Sequence, residues 1–219
     1  MRNIEIAPEE HYHVFNRGVN KGTIFHDVGD YSRFLFLILH LQSKENFPQI
    51  GRSVKNYVKH RVFDIDAEEI IKLRTIELVS FCIMPNHFHL ILKEVEDGGI
   101  SVYMQRVLNA YAKYYNTKYN KSGHVFQGPY KAVHITDDRQ LLYLSAYIHR
   151  NPREISSWLN KEKNYPWSSY QDFIEENRWG GLLSREIILG QFKNSKKYKE
   201  FIETSTAKMI KDELDNLED

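Results

Sequence analysis

The stretch Ile76-Glu-Leu-Val-Ser-Phe-Cys-Ile-Met84, then Pro85-Asn86, then His87-Phe-His-Leu-Ile-Leu-Lys-Glu-Val95 decides the fold. Two apolar runs flank a Pro-Asn pair that suits a tight turn, so the segment predicts two strands joined as a hairpin. Successive side chains on a strand alternate faces. Phe88, Leu90 and Leu92 therefore share a face that has a reason to be buried, while His87 and His89 share the other.

Upstream, Tyr12-His-Val-Phe-Asn-Arg17 alternates as a half-buried strand does, and Gly18 opens a turn. Residues 28–41 carry Tyr31, Phe34, Leu35, Ile38 and Leu39 at helical spacing behind the capping candidate Asp27. Residues 42–67 are polar and irregular, with Pro48 and Gly51, and read as a long loop; Asp64, Asp66, Glu68 and Glu69 read as a solvated helix start. Downstream, Gly98-Gly99 precedes a helix over 101–115, then a loop to Gly128 and a short strand over 130–135. Asp137-Asp138 cap a helix through Leu142, Leu144 and Tyr147 that Pro152 stops. The order β-α-β-β-α-β-α predicts an α+β fold: a ferredoxin-like split βαβ arrangement, one antiparallel sheet with helices on one face. Residues 1–155 are expected to form the main domain and residues 156–219 a helical, locally polar C-terminal extension.

With 42% hydrophobic and 27% charged residues, the 219-residue chain has an ordinary globular composition. No apolar run approaches the roughly 20 residues of a membrane span, and the N-terminus lacks the apolar core of a secretory signal. The single cysteine, Cys82, excludes a disulfide framework and a CxxC metal cluster. A cytoplasmic protein without membrane attachment is expected. Net charge is only +1, but residues 101–163 hold ten Lys/Arg against four acids, and residues 164–219 eight against eleven. A basic middle is compatible with local phosphate binding; a solvated helix face explains it as well.

His87 and His89, about 7 Å apart on one strand face, can chelate a divalent ion or stand as two half-exposed strand histidines. Tyr147 and Asn151, four apart in Tyr147-Ile-His-Arg-Asn-Pro152, are neighbours on one helix face. An amide just before the terminating proline is free to act as a hard ligand, and a tyrosine there can deliver its phenol oxygen to a phosphate or pack in the core.

Met84-Pro-Asn-His-Phe-His-Leu90, the downstream Phe126-Gln-Gly-Pro-Tyr-Lys131 and Tyr147-Ile-His-Arg-Asn-Pro152 together resemble the single-tyrosine HUH transposases, in particular the REP-associated and IS200-like members. The resemblance spans about residues 12–153. It implies that His87 and His89 bind a metal, that Tyr147 is the nucleophile, and that Asn151 supplies a third ligand. It further implies Mg²⁺ or Mn²⁺ as cofactor, single-stranded DNA carrying a hairpin as substrate, and a homodimer. A phenol, with a pKa of about 10, is a poor nucleophile at neutral pH, and a divalent ion on the phosphate offsets this by neutralising charge and orienting the phosphorus. Attack gives a 5′-phosphotyrosine and a free 3′-hydroxyl, conserving the bond energy for rejoining.

Arg17, Arg106, Lys113, Lys118, Lys121, Lys131 and Arg150 are candidate phosphate contacts. His149 either touches substrate or faces solvent, and His13 reads as a satisfied strand histidine. Three other functions stand beside this one, the first of them inseparable from it by sequence. A domesticated nuclease would use the same residues without transposing. A non-catalytic single-stranded nucleic-acid binder would not need Tyr147 and Asn151. A phosphohydrolase would need a carboxylate cluster that the sequence does not offer.

Overall fold

The computed structural model describes residues 5–45, 50–62 and 67–206. Strands β1 (His11–Arg17), β2 (Ile76–Met84), β3 (His87–Glu94) and β4 (Lys131–Ile135) form one antiparallel sheet in the order β2-β3-β1-β4. β2 and β3 pair through the turn at Pro85-Asn86, as the opening stretch requires. The first crossover carries α1 (Val28–His40), α2 (Ile50–His60) and α3 (Ala67–Lys72); the second carries α4 (Gly99–Tyr119). The fold is α+β with the expected split βαβ order.

One difference lies within residues 42–67, expected as a loop. Helix α2 occupies part of it because Ile50, Val54 and Tyr57 make a narrow apolar stripe at helical spacing on a polar segment. Tyr57 packs against Phe36 on α1, their ring centres 5.3 Å apart and tilted by 57°. Glu68 and Glu69 form the first turn of α3; Pro48, Asp64 and Asp66 lie outside the described residues.

Phe88, Leu90 and Leu92 are fully buried under α1 and α4. Phe34 sits 4.8 Å from Phe88 and edge-on to Tyr111 at 5.2 Å. Burying each such side chain contributes about 1.5–3 kcal/mol, which fixes this face of the hairpin inward and turns the histidine face away from it. The two crossover helices share that face. Helix α5 (Asp138–Arg150), N-capped by Asp137 accepting from the Gln140 amide at 2.8 Å, lies against the opposite face, so the helices are not all on one face as the sequence reading expects. There it meets the histidines.

Beyond residue 155, α6 (Tyr170–Ile174), α7 (Glu186–Leu189) and α8 (Ser195–Thr204) join the same core through Tyr170, Phe173, Ile188, Tyr198 and Ile202. β2 ends the sheet and would expose unpaired backbone groups there. Residues 167–169 cover that edge: Ile83 N–H donates to the Trp167 carbonyl at 2.9 Å, and Ser169 N–H to the Phe81 carbonyl at 3.0 Å. No helix among the described residues is long and apolar enough to cross a membrane.

Candidate active site

The β1–β3 register sets Arg17 opposite His87 and Phe15 opposite His89. By alternation His13, Phe15 and Arg17 share the face of the two histidines. These residues line an open cleft of about 410 Å³, closed on another side by Tyr147 of α5. The Tyr147 ring stands 5.3 Å from the His89 ring at 84°, and 6.5 Å from His13. Tyrosine and histidine pair thus come together within one chain.

His89 is buried, its Nδ1 2.9 Å from His13 Nε2, so one hydrogen is shared between two stacked rings. Burial holds His13 down to about 3. Burial, then the neighbouring His13 and His87, holds His89 well below the usual imidazole range. Burial also lowers His87, against the opposing pull of Asn151 and Glu154. At neutral pH these rings are in the uncharged form that offers a lone pair.

Asn151 sits where α5 ends and Pro152 redirects the chain into a short 3₁₀ turn. Its Nδ2 donates to the Tyr147 carbonyl at 3.0 Å, which turns Oδ1 toward His87 Nε2, 3.3 Å away. On the far side of that ring, His87 Nδ1 is 2.7 Å from Asn86 Oδ1. An amide oxygen only accepts, so Nδ1 carries the hydrogen and Nε2 is bare. Two acceptors then face each other with no hydrogen between them, an arrangement that a cation satisfies. Their spacing suits two donors each about 2.1 Å from a shared ion. Among the described residues no three His, Cys, Asp or Glu side chains gather as a metal site, so the third donor has to be of another kind. Two imidazoles and an amide oxygen fit a divalent ion of the Mn²⁺ or Mg²⁺ class.

Of the expected phosphate contacts, Arg17 is exposed and lines the cleft. Lys131 is exposed on the same face, its Nζ 5.9 Å from the centre of the Phe15 ring. The others lie elsewhere. Arg106, Lys113 and Lys118 ride α4, and Lys121 follows it, on the opposite side of the sheet. Arg106 donates to the carbonyls of Ser43 and Glu45. Lys118 is clamped between Asp27 and Asp30 at 2.7 and 2.6 Å. Arg150 points toward α8, donating to the Ile202 carbonyl at 3.3 Å. His149 neither faces solvent nor reaches the cleft. It is fully buried, with Nδ1 2.7 Å from the Tyr198 hydroxyl and Nε2 2.9 Å from Ser169 Oγ.

Sequence reasoning missed Lys21, Asn86 and Glu154 at the cleft, and the contact of His13 with His89. The alternation of His13, Phe15 and Arg17 was a signal for the last, but it needed the β1–β3 register to be read.

Residues 50–151, which include the histidine pair, Tyr147 and Asn151, match the family model described as "Transposase IS200 like". No curated protein matches the sequence. A solved structure of a REP-associated tyrosine transposase bound to a REP hairpin is similar in fold, with a TM-score of 0.52 at 14% identity, over 80% of this chain and 84% of that one.

Proposed function

We propose that this chain, whose residues 50–151 match the IS200-like transposase family, is a transposase of that kind and that its Tyr147 cuts and rejoins single-stranded DNA in the cleft beside His87 and His89. The observation that carries this reading is the Tyr147 ring 5.3 Å from His89, in a cleft where His87 and Asn151 aim two lone pairs at one point. His87, His89 and Asn151 would hold Mg²⁺ or Mn²⁺, and what such an ion supplies when bound is charge neutralisation and orientation of the scissile phosphate. Arg17, Lys21 and Lys131 would take the flanking phosphates.

The Tyr147 oxygen bonds to phosphorus as the P–O3′ bond breaks. The phenol gives up its proton and the leaving 3′-oxygen gains one through solvent. The products are a 5′-phosphotyrosine and a 3′-hydroxyl, and attack by that hydroxyl reverses the step without ATP. A hairpin next to the cleaved single strand is the substrate that the REP hairpin on the similar structure suggests. A homodimer would bring together two sites, each with its own tyrosine at its own histidines.

The test is incubation with labelled single-stranded DNA containing a hairpin and Mn²⁺, followed by denaturing electrophoresis. Wild type forms a covalent adduct; Tyr147→Phe forms none and keeps its affinity for the strand. An adduct of equal yield in the variant removes Tyr147 from the role.

A further inference from the structure

We propose that Asn86, at the tip of the β2–β3 hairpin, is a positioning residue for both halves of the cleft, an inference that rests on the metal reading above. One arm is its Oδ1, which accepts from His87 Nδ1 and so keeps Nε2 bare and aimed at Asn151. The other arm is its Nδ2, which donates to the Lys21 carbonyl at 2.9 Å. That bond also fixes which way round the amide lies.

The second arm matters because the 18–22 turn is held in an unusual shape. Asn20 and Lys21 have φ of 53° and 58°, in the left-handed region that L residues rarely occupy, and two in succession persist only where the surroundings enforce them. Gly18 is required, since a Cβ there would meet the Gly22 carbonyl oxygen at 2.3 Å. The hairpin tip supplies the enforcement. The Asn86 carbonyl accepts from Gly18 N–H at 2.8 Å, and the Pro85 carbonyl accepts from Ile24 and Phe25 N–H at 2.9 and 3.0 Å. Lys21, carried by this turn, borders the cleft that contains His87. One amide therefore sets both the imidazole that meets the ion and the turn that presents a cation to the strand. A carboxylate could perform the first task and not the second; an alanine could perform neither.

That division supplies the experiment. Asn86→Ala, Asn86→Asp and His87→Ala are compared with wild type by calorimetric titration of Mn²⁺ without DNA and by the rate of tryptic cleavage after Lys21. Asn86→Ala is expected to weaken Mn²⁺ binding by about tenfold or more, the usual loss when a ligand's outer partner is removed. Asn86→Asp is expected to bind Mn²⁺ at least as tightly as wild type. Both variants are expected to be cut after Lys21 about fivefold faster, the worth of one hydrogen bond. Nitrogen-15 NMR of the wild-type imidazoles needs no variant to fold, and is expected to place the His87 hydrogen on Nδ1.

A hydrogen on Nε2 in wild type overturns the first arm, as does an Asn86→Ala protein with undiminished Mn²⁺ affinity. Unchanged cleavage after Lys21 in Asn86→Asp overturns the second. If His87→Ala itself binds Mn²⁺ as wild type does, the metal reading fails rather than this inference alone.

Discussion

Lowering the pH tests how α5 is held. His149, two residues from Tyr147, is fully buried against Tyr198 and Ser169, and burial drives its pKa down to about 3 from an unfolded value of 6.5. Above pH 6.5 the ring is neutral in both states and costs nothing. Between 6.5 and 3 the unfolded chain takes up a proton that the folded chain refuses, so stability falls as pH falls. At pH 4.5 the two-unit gap below the unfolded value corresponds to about 2–3 kcal/mol for this residue alone, a large share of the roughly 5–15 kcal/mol that stabilises a domain. His13, with the same depressed value, adds a loss of similar size. The assay is urea unfolding at pH 7 and pH 4.5 for wild type and His149→Gln, which keeps a polar group near Ser169 without titrating. Although the variant is less stable at pH 7, its loss between the two pH values should be smaller than that of wild type by about 2–3 kcal/mol. Equal losses in the two proteins would refute the claim that His149 is buried neutral.

Three further outcomes test the cleft and the α4 side of the sheet. His13→Phe removes the nitrogen that shares a hydrogen with His89 Nδ1, and should weaken Mn²⁺ binding about tenfold in calorimetric titration; unchanged affinity would make His13 a packing residue. Arg17→Ala with Lys21→Ala should weaken single-stranded DNA binding and flatten its salt dependence by about 0.7 unit for each phosphate no longer neutralised. Lys118→Ala should leave that binding near wild type and lower stability by roughly 1–3 kcal/mol, since the buried Asp30 carboxylate loses its ion pair and keeps the neutral donors Tyr114, Tyr119 and His26 N–H. A reversed pattern would move the DNA path to the α4 side.

Whatever depends on local period is legible in the residues alone. Alternation of two put His87 and His89 on one face with Phe88 on the other, and a spacing of four put Tyr147 and Asn151 on one helix side, because backbone geometry fixes those periods whatever the rest of the chain does. Helix α2 was harder to read, since three apolar residues on a polar segment resemble a loop until Phe36 is there to pack on Tyr57. Which face of the sheet α5 covers, and so whether Tyr147 meets its own chain's histidines, depends on the packing of the folded chain. That packing alone committed Lys118 to Asp27 and Asp30, buried His149, and brought His13 to His89 and Asn86 to the 18–22 turn. These pairings join residues tens of positions apart. Strand register and helix placement are settled by the whole core at once, and no short window of sequence contains them.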